Sequence, residues 1–101
     1  MLKKRPGLTP ETASALALSG LAFLAEDMPR LGRFLALTGI GPERLREAAA
    51  APETQLAVLD HLLSDESLLL VFAASKGVSP DTIAPARAVL ARALGQDGAD
   101  A

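Results

Sequence analysis

His61 is the single histidine of the chain, and Asp65 stands four residues further on, with Asp60 and Glu66 close by. Positions i and i+4 share one helix face, so an imidazole and a carboxylate at this spacing offer half a metal site or an acid/base pair. Two observations favour a plainer role. Ser64 or Asp65 sits where a helix N-cap belongs, and Glu66 complements the dipole of the helix that would follow. In an aligned stretch earlier in the chain, Phe23 stands where His61 does and Asp27 where Asp65 does. A position that is Phe in one copy and His in the other reads as packing rather than ligation. There is also no glycine-rich phosphate loop after a strand, no nucleophile elbow and no second histidine to complete a triad. Without cysteine, thiolate metal sites, disulfides and cysteine nucleophiles are excluded. The chain thus reads as non-enzymatic, with no cofactor or metal expected. An enzyme or metal protein using His61 and Asp65 is the second alternative.

Four arginines carry the other chemical signal. Arg30, Arg33, Arg44 and Arg46 fall close together in the first half, and guanidinium groups pair carboxylates and phosphates in bidentate geometry. Arg30 and Arg33 share one side of a helix, while Arg44 can pair with Glu43 or Glu47 for only a few tenths of a kcal/mol. These four side chains are the candidate partner-binding residues. A helix-turn-helix reading rests on Phe72-Ala73, Gly77-Val78-Ser79 and Ile83, whose offsets suit two helices packed across a tight turn. Any helical corner closed by a glycine needs the same residues. The recognition helix would lead with Ser79, Pro80, Asp81, Ala84 and Pro85, a poor set of donors for bases and phosphates. DNA binding is the first alternative, and nucleic acid is not the expected partner.

The elements that position these residues come in two copies. Leu18, Leu21, Leu24, Asp27, Phe34, Ala36, Gly39, Ile40, Pro42, Glu43, Leu45 and Ala48 align with Leu56, Leu59, Leu62, Asp65, Phe72, Ala74, Gly77, Val78, Pro80, Asp81, Ile83 and Ala86. A repeat of this length defines a structural unit, not a chemistry. In the first copy, Thr9 caps a helix with Pro10 at its first position and an apolar stripe of Ala13, Leu16, Ala17, Leu21 and Leu24. Asp27 and Pro29 stop it and open a second helix, Leu31 to Thr38, closed by Gly39 with Ile40 as the hydrophobic partner of the cap. Gly41-Pro42 starts a third, running to about Ala51. The second copy repeats the pattern: Pro52 opens a helix bearing Leu56, Leu59, Leu62 and Leu63, a second ends at Gly77, and Ser79-Pro80 starts a third that runs to about Leu94. Pro85 should kink that last helix or leave a short separate turn before it. Leu68 to Phe72 advance about 100° per residue and coat a whole helix circumference. Burial at the centre of the monomer is expected for that helix, ahead of an oligomer interface.

Composition agrees. Half the residues are apolar, with alanine and leucine dominant, three phenylalanines and no tryptophan or tyrosine, a balance that favours helix over strand. The net charge of −2 gives no long-range attraction for nucleic acid or an anionic membrane. The longest apolar run, Leu68 to Ala74, is far short of the roughly 20 residues that span a bilayer. Lys3-Lys4-Arg5 ahead of Ala13–Ala25 imitates a signal peptide. The same stretch aligns with residues 51–63 in mid-chain, so it reads as a core helix, and a cytoplasmic location is expected.

The phrases Leu21-Ala22-Phe23-Leu24-Ala25-Glu26-Asp27, Leu31-x-Arg33-Phe34-Leu35-Ala36-Leu37-Thr38-Gly39 and Leu59-x-x-Leu62-Leu63-x-Asp65-Glu66-Ser67-Leu68-Leu69 resemble a small, mainly alphaproteobacterial family of unknown function, number 3572. The resemblance spans about residues 10–94 and implies a compact helical cytoplasmic protein. It implies no activity, cofactor or catalytic residue. The expectation is therefore an all-α fold: a single domain over residues 9–95 of about six short helices, in two tandem three-helix units, about 9–51 and 52–95, related by a pseudo-two-fold. The second helix of each unit is expected near that axis. Residues 1–8 and 96–101 lack periodicity and are expected to be flexible tails. The expected role is a protein–protein interaction or regulatory adaptor, monomeric or weakly homodimeric, with an unknown protein partner bound in an exposed groove or on the arginine face, and no membrane.

Overall fold

The computed structural model describes residues 8–95, which form six α-helices and, among the described residues, no strand. Helix α1 (Pro10–Ala25) is capped by Thr9, whose Oγ1 accepts the Thr12 N–H at 3.1 Å. Helix α2 (Met28–Thr38) is capped by Asp27, which accepts the Arg30 N–H at 3.0 Å. A 3-10 turn (Pro42–Arg44) leads into the single turn of α3 (Leu45–Ala48). Helix α4 (Pro52–Leu63) ends at Ser64, and α5 (Glu66–Lys76) is capped by Asp65, which accepts the Leu68 N–H at 3.1 Å. A second 3-10 turn (Pro80–Thr82) opens α6 (Ile83–Ala93). Of the two capping candidates at this point in the chain, Asp65 caps α5 and Ser64 closes α4, donating from Oγ to the His61 carbonyl at 2.7 Å.

Both glycine stops are left-handed, Gly39 at φ 78° and Gly77 at φ 67°, a conformation that costs a side-chain-bearing residue steric strain and glycine none. The caps differ in the next residue. Val78 donates to the Ala73 carbonyl at 2.9 Å, closing a Schellman loop, whereas Ile40 donates to Thr38 Oγ1 at 3.3 Å. A threonine at the end of α2 has captured the amide that a lysine leaves to the backbone.

Helices α1, α4 and α6 pack on one another most extensively and enclose the core, in which Ala13, Ala17, Leu24, Leu59, Leu62, Ile83 and Ala86 are fully buried. Small residues permit the approach of α1 to α4. A Cβ at Gly20 would lie 3.0 Å from Leu62 Cδ1 and 3.0 Å from Val58 Cγ1. Helices α2 and α5 flank this centre through aromatic anchors. Phe72 of α5 meets Phe23 of α1 edge-on at 5.5 Å, and Phe34 of α2 meets His61 of α4 edge-on at 5.3 Å. The aligned positions thus exchange partners between units: the first unit's Phe23 takes the second unit's Phe72, and the second unit's His61 takes the first unit's Phe34.

Several expectations need correction. Helix α5 is not wrapped on all sides: Leu70 and Val71 are 49% and 47% exposed, and only Phe72 and Ala73 are buried. It packs by one face on α4 and α1, and among the described residues nothing forms a layer outside it. The centre belongs to α1, α4 and α6 rather than to α2 and α5. The third helix of the first unit ends at Ala48, short of Ala51, because Pro52 must begin α4. Of the two outcomes expected at Pro85 the separate turn is found, a 3-10 turn that also precedes α3 where Glu47 stands in the aligned place; the proline lies in the first turn of α6, where its missing N–H would have had no helical acceptor. The tails expected over 1–8 and 96–101 lie outside the described residues, save Leu8, which packs partly buried against the core.

Candidate functional site: an apolar groove between α1 and α3

On the first unit the exposed side of α1 does not close against α3. Leu18, Leu21, Ala22 and Ala25 of α1 face Pro42, Leu45 and Ala49, with Glu43, Arg46 and Glu47 along the margin, around a groove of about 720 Å³. The α1 residues recur at i, i+3, i+4 and i+7, the stripe by which a helix normally meets another helix. Here it is only partly covered, and Leu18 is 42% exposed.

The second unit shows what covers such a stripe. Its aligned residues are Leu56, Leu59, Asp60 and Leu63 on α4, and α6 lies directly on that helix with Ile83 and Ala86 fully buried. Leu56, the counterpart of Leu18, is only 5% exposed. The margin is tied by Arg87, whose Nε donates to Asp60 at 2.6 Å. That hydrogen bond and the carboxylate charge hold the guanidinium above its ordinary pKa. Alanines 22 and 49 stand in the first unit where Asp60 and Arg87 stand in the second. With neither the ion pair nor a long third helix to draw α3 down, the α1 stripe stays open.

The four arginines do not form one cluster. Arg30 lies over the Phe23 ring, 4.6 Å from its centroid, with Asp27 4.0 Å away. Arg33 is exposed on α2, close enough to His61 for its charge to act on the imidazole. Arg46 lines the α1–α3 groove, whereas Arg44 lines a separate depression with Gly39, Ile40, Gly41 and Ala48. Consecutive turns of a 3-10 segment and a one-turn helix send them to different sides.

His61 packs on Phe34, and its pKa is lowered, first by burial and then by the Arg33 charge, with Asp65 opposing. Asp65 is engaged as the α5 cap and Asp60 in the Arg87 bridge. Among the described residues no three His, Cys, Asp or Glu side chains converge in a way that could hold a metal ion. The other candidate, α6 as a DNA recognition helix, has Ile83, Ala86, Leu90 and Ala91 buried between α1 and α4, which leaves only its outer face to meet a duplex.

Sequence reasoning passed over the groove because Leu18 aligns with a core leucine. The signal that reveals it is a difference between the copies, alanine at 22 and 49 against aspartate and arginine at 60 and 87.

Neither curated proteins nor solved structures provide a significant match to this chain. Residues 10–93, nearly the whole chain and all six helices, match the family described as Protein of unknown function (DUF3572), and the chain belongs to that family.

Proposed function

We propose that this protein is a non-enzymatic interaction module of the cytoplasm, and that the α1–α3 groove is where it holds a partner protein. The observation that carries this reading is the half-exposed Leu18 stripe, open on one unit while its aligned counterpart on the other is sealed. Aliphatic side chains left in water on a preformed, partly concave surface gain free energy from being covered, about 25 cal/mol per Å² of apolar area. The neighbourhood of His61 supports the non-enzymatic part of the proposal, since its carboxylate neighbours are committed to a cap and a bridge. Among the described residues no helix is long and apolar enough to cross a membrane.

The test uses the protein's own second unit as the template. Ala22→Asp with Ala49→Arg places on the first unit the pair that ties Asp60 to Arg87 in the second. A photo-crosslinking residue at position 18 should trap a partner protein in living cells, and the double substitution should abolish that product while the circular dichroism spectrum is unchanged. An unchanged set of crosslinked proteins in the double variant would refute the groove.

A further inference from the structure

The groove has a shape and a charge that narrow the class of its occupant. We infer that it takes a short amphipathic helix of a partner protein, aliphatic along one face and carrying lysine or arginine at its edge. This assignment rests on the groove being a protein-binding site.

The helical form follows from the floor. Leu18, Leu21, Ala22 and Ala25 make a straight strip of two turns on α1, about 10 Å long at 1.5 Å per residue. The two alanines leave a furrow beside the two leucines, and ridges entering such furrows are how helices pack together. The chain contains its own example of a suitable cover. On α4, the aligned strip lies under α6, which presents Ile83, Ala86, Leu90 and Ala91 from one face and sets Arg87 against an acidic neighbour at the margin.

The basic edge follows from the rim. Glu43 and Glu47 lie four residues apart along the margin, both exposed and neither in an ion pair among the described residues. Arg46 on the same margin offsets only one of the two. In the second unit the acid, Asp60, is on the covered helix α4 at the margin, and the base is on the covering helix. In the first unit the acids are on the α3 side, so the complementary base belongs to the incoming helix, where charge complementarity fixes register and orientation.

Two fluorescein-labelled synthetic helices of about 15 residues, long enough to hold helical structure, supply the test. Both carry the same leucine–alanine face; one is flanked by lysines, the other by glutamates. Fluorescence anisotropy at low salt should show the lysine peptide binding the full chain at least about tenfold more tightly, the size of effect that one or two close charge pairs produce. Amide shifts should map to Leu18, Leu21, Ala25 and Leu45, and Glu43→Gln with Glu47→Gln should remove most of the preference without moving the thermal midpoint. Equal binding of both peptides in the groove would overturn the basic-edge assignment while leaving the groove as a binding site. Binding of neither, or shifts confined to the exposed α5 residues Leu70 and Val71, would overturn the helical occupant; the Leu18 crosslinking experiment then decides separately whether the groove holds a protein at all.

Discussion

Replacing Gly20 and Gly32 by alanine, one at a time, is the same chemical change at two helix interiors, and the structure predicts opposite signs. Each substitution relieves the conformational freedom of glycine in a helix, a gain of about 0.5–1 kcal/mol. At Gly32, on the exposed side of α2, a new Cβ meets nothing within 4 Å, so the gain is realised whole. At Gly20 the new methyl carbon would lie 3.0 Å from both Leu62 Cδ1 and Val58 Cγ1, well inside the contact optimum of about 3.5–4.0 Å. Leu62 can turn its terminal methyl, but the branched Val58 is held at χ1 in its helix, so α1 and α4 must separate slightly. Overpacking of this kind costs about 1–3 kcal/mol. The propensity gain is common to both variants and cancels in the comparison. Gly32→Ala should therefore be stabilised and Gly20→Ala net destabilised by up to about 2 kcal/mol, with a gap between them of about 1–3 kcal/mol. Urea unfolding followed by circular dichroism measures this, with equal slopes showing that only stability has changed. In the Gly20→Ala background, Val58→Ala should cost less than in the parent, a coupling of about 0.5–3 kcal/mol in the double-mutant cycle. If Gly20→Ala stabilises as much as Gly32→Ala, α1 and α4 do not cross at this glycine and the arrangement of the core is wrong.

Two further expectations concern features that the sequence presented ambiguously. The lowered pKa of His61 means that the folded state disfavours its proton, so stability is full above the ordinary value near 6.5 and falls as pH drops below it; His61→Phe, which restores the residue of the first unit, should flatten the stability profile between pH 7 and 5, and an unaltered slope in urea midpoints would show that His61 is not its source. Leu70→Lys and Val71→Lys should each leave the unfolding free energy within about 0.5 kcal/mol, as surface changes do, whereas a loss of several kcal/mol, or a concentration-dependent midpoint in the parent that the lysines remove, would place α5 inside a core or an interface.

Local signals were legible where the physics is local. Thr9, Asp27 and Asp65 cap helices because a short oxygen side chain satisfies amides within its own turn, and Gly39 and Gly77 end helices because the left-handed backbone is a property of one residue. The leucine stripes of α1 and α4 announced buried faces, and the repeat marked where each element would start again. The candidate site was not legible in the same way. Helix α5 has the composition of a buried helix, but whether Leu70 and Val71 are covered depends on what packs outside them, and among the described residues nothing does. Arg44 and Arg46 are neighbours in the chain and diverge in space.

The sequence by itself determined the all-α class, the capping residues and the glycine stops, since propensity and capping act over a few residues. Only the tertiary structure decided which copy is sealed. Leu18 and Leu56 are the same residue in the same motif, yet one is half-exposed and the other buried, because burial is set by distant partners: α6 is long enough to lie over α4 and is tied there by Arg87 and Asp60, while α3 is a single turn and the first unit has Ala22 and Ala49 where that ion pair stands.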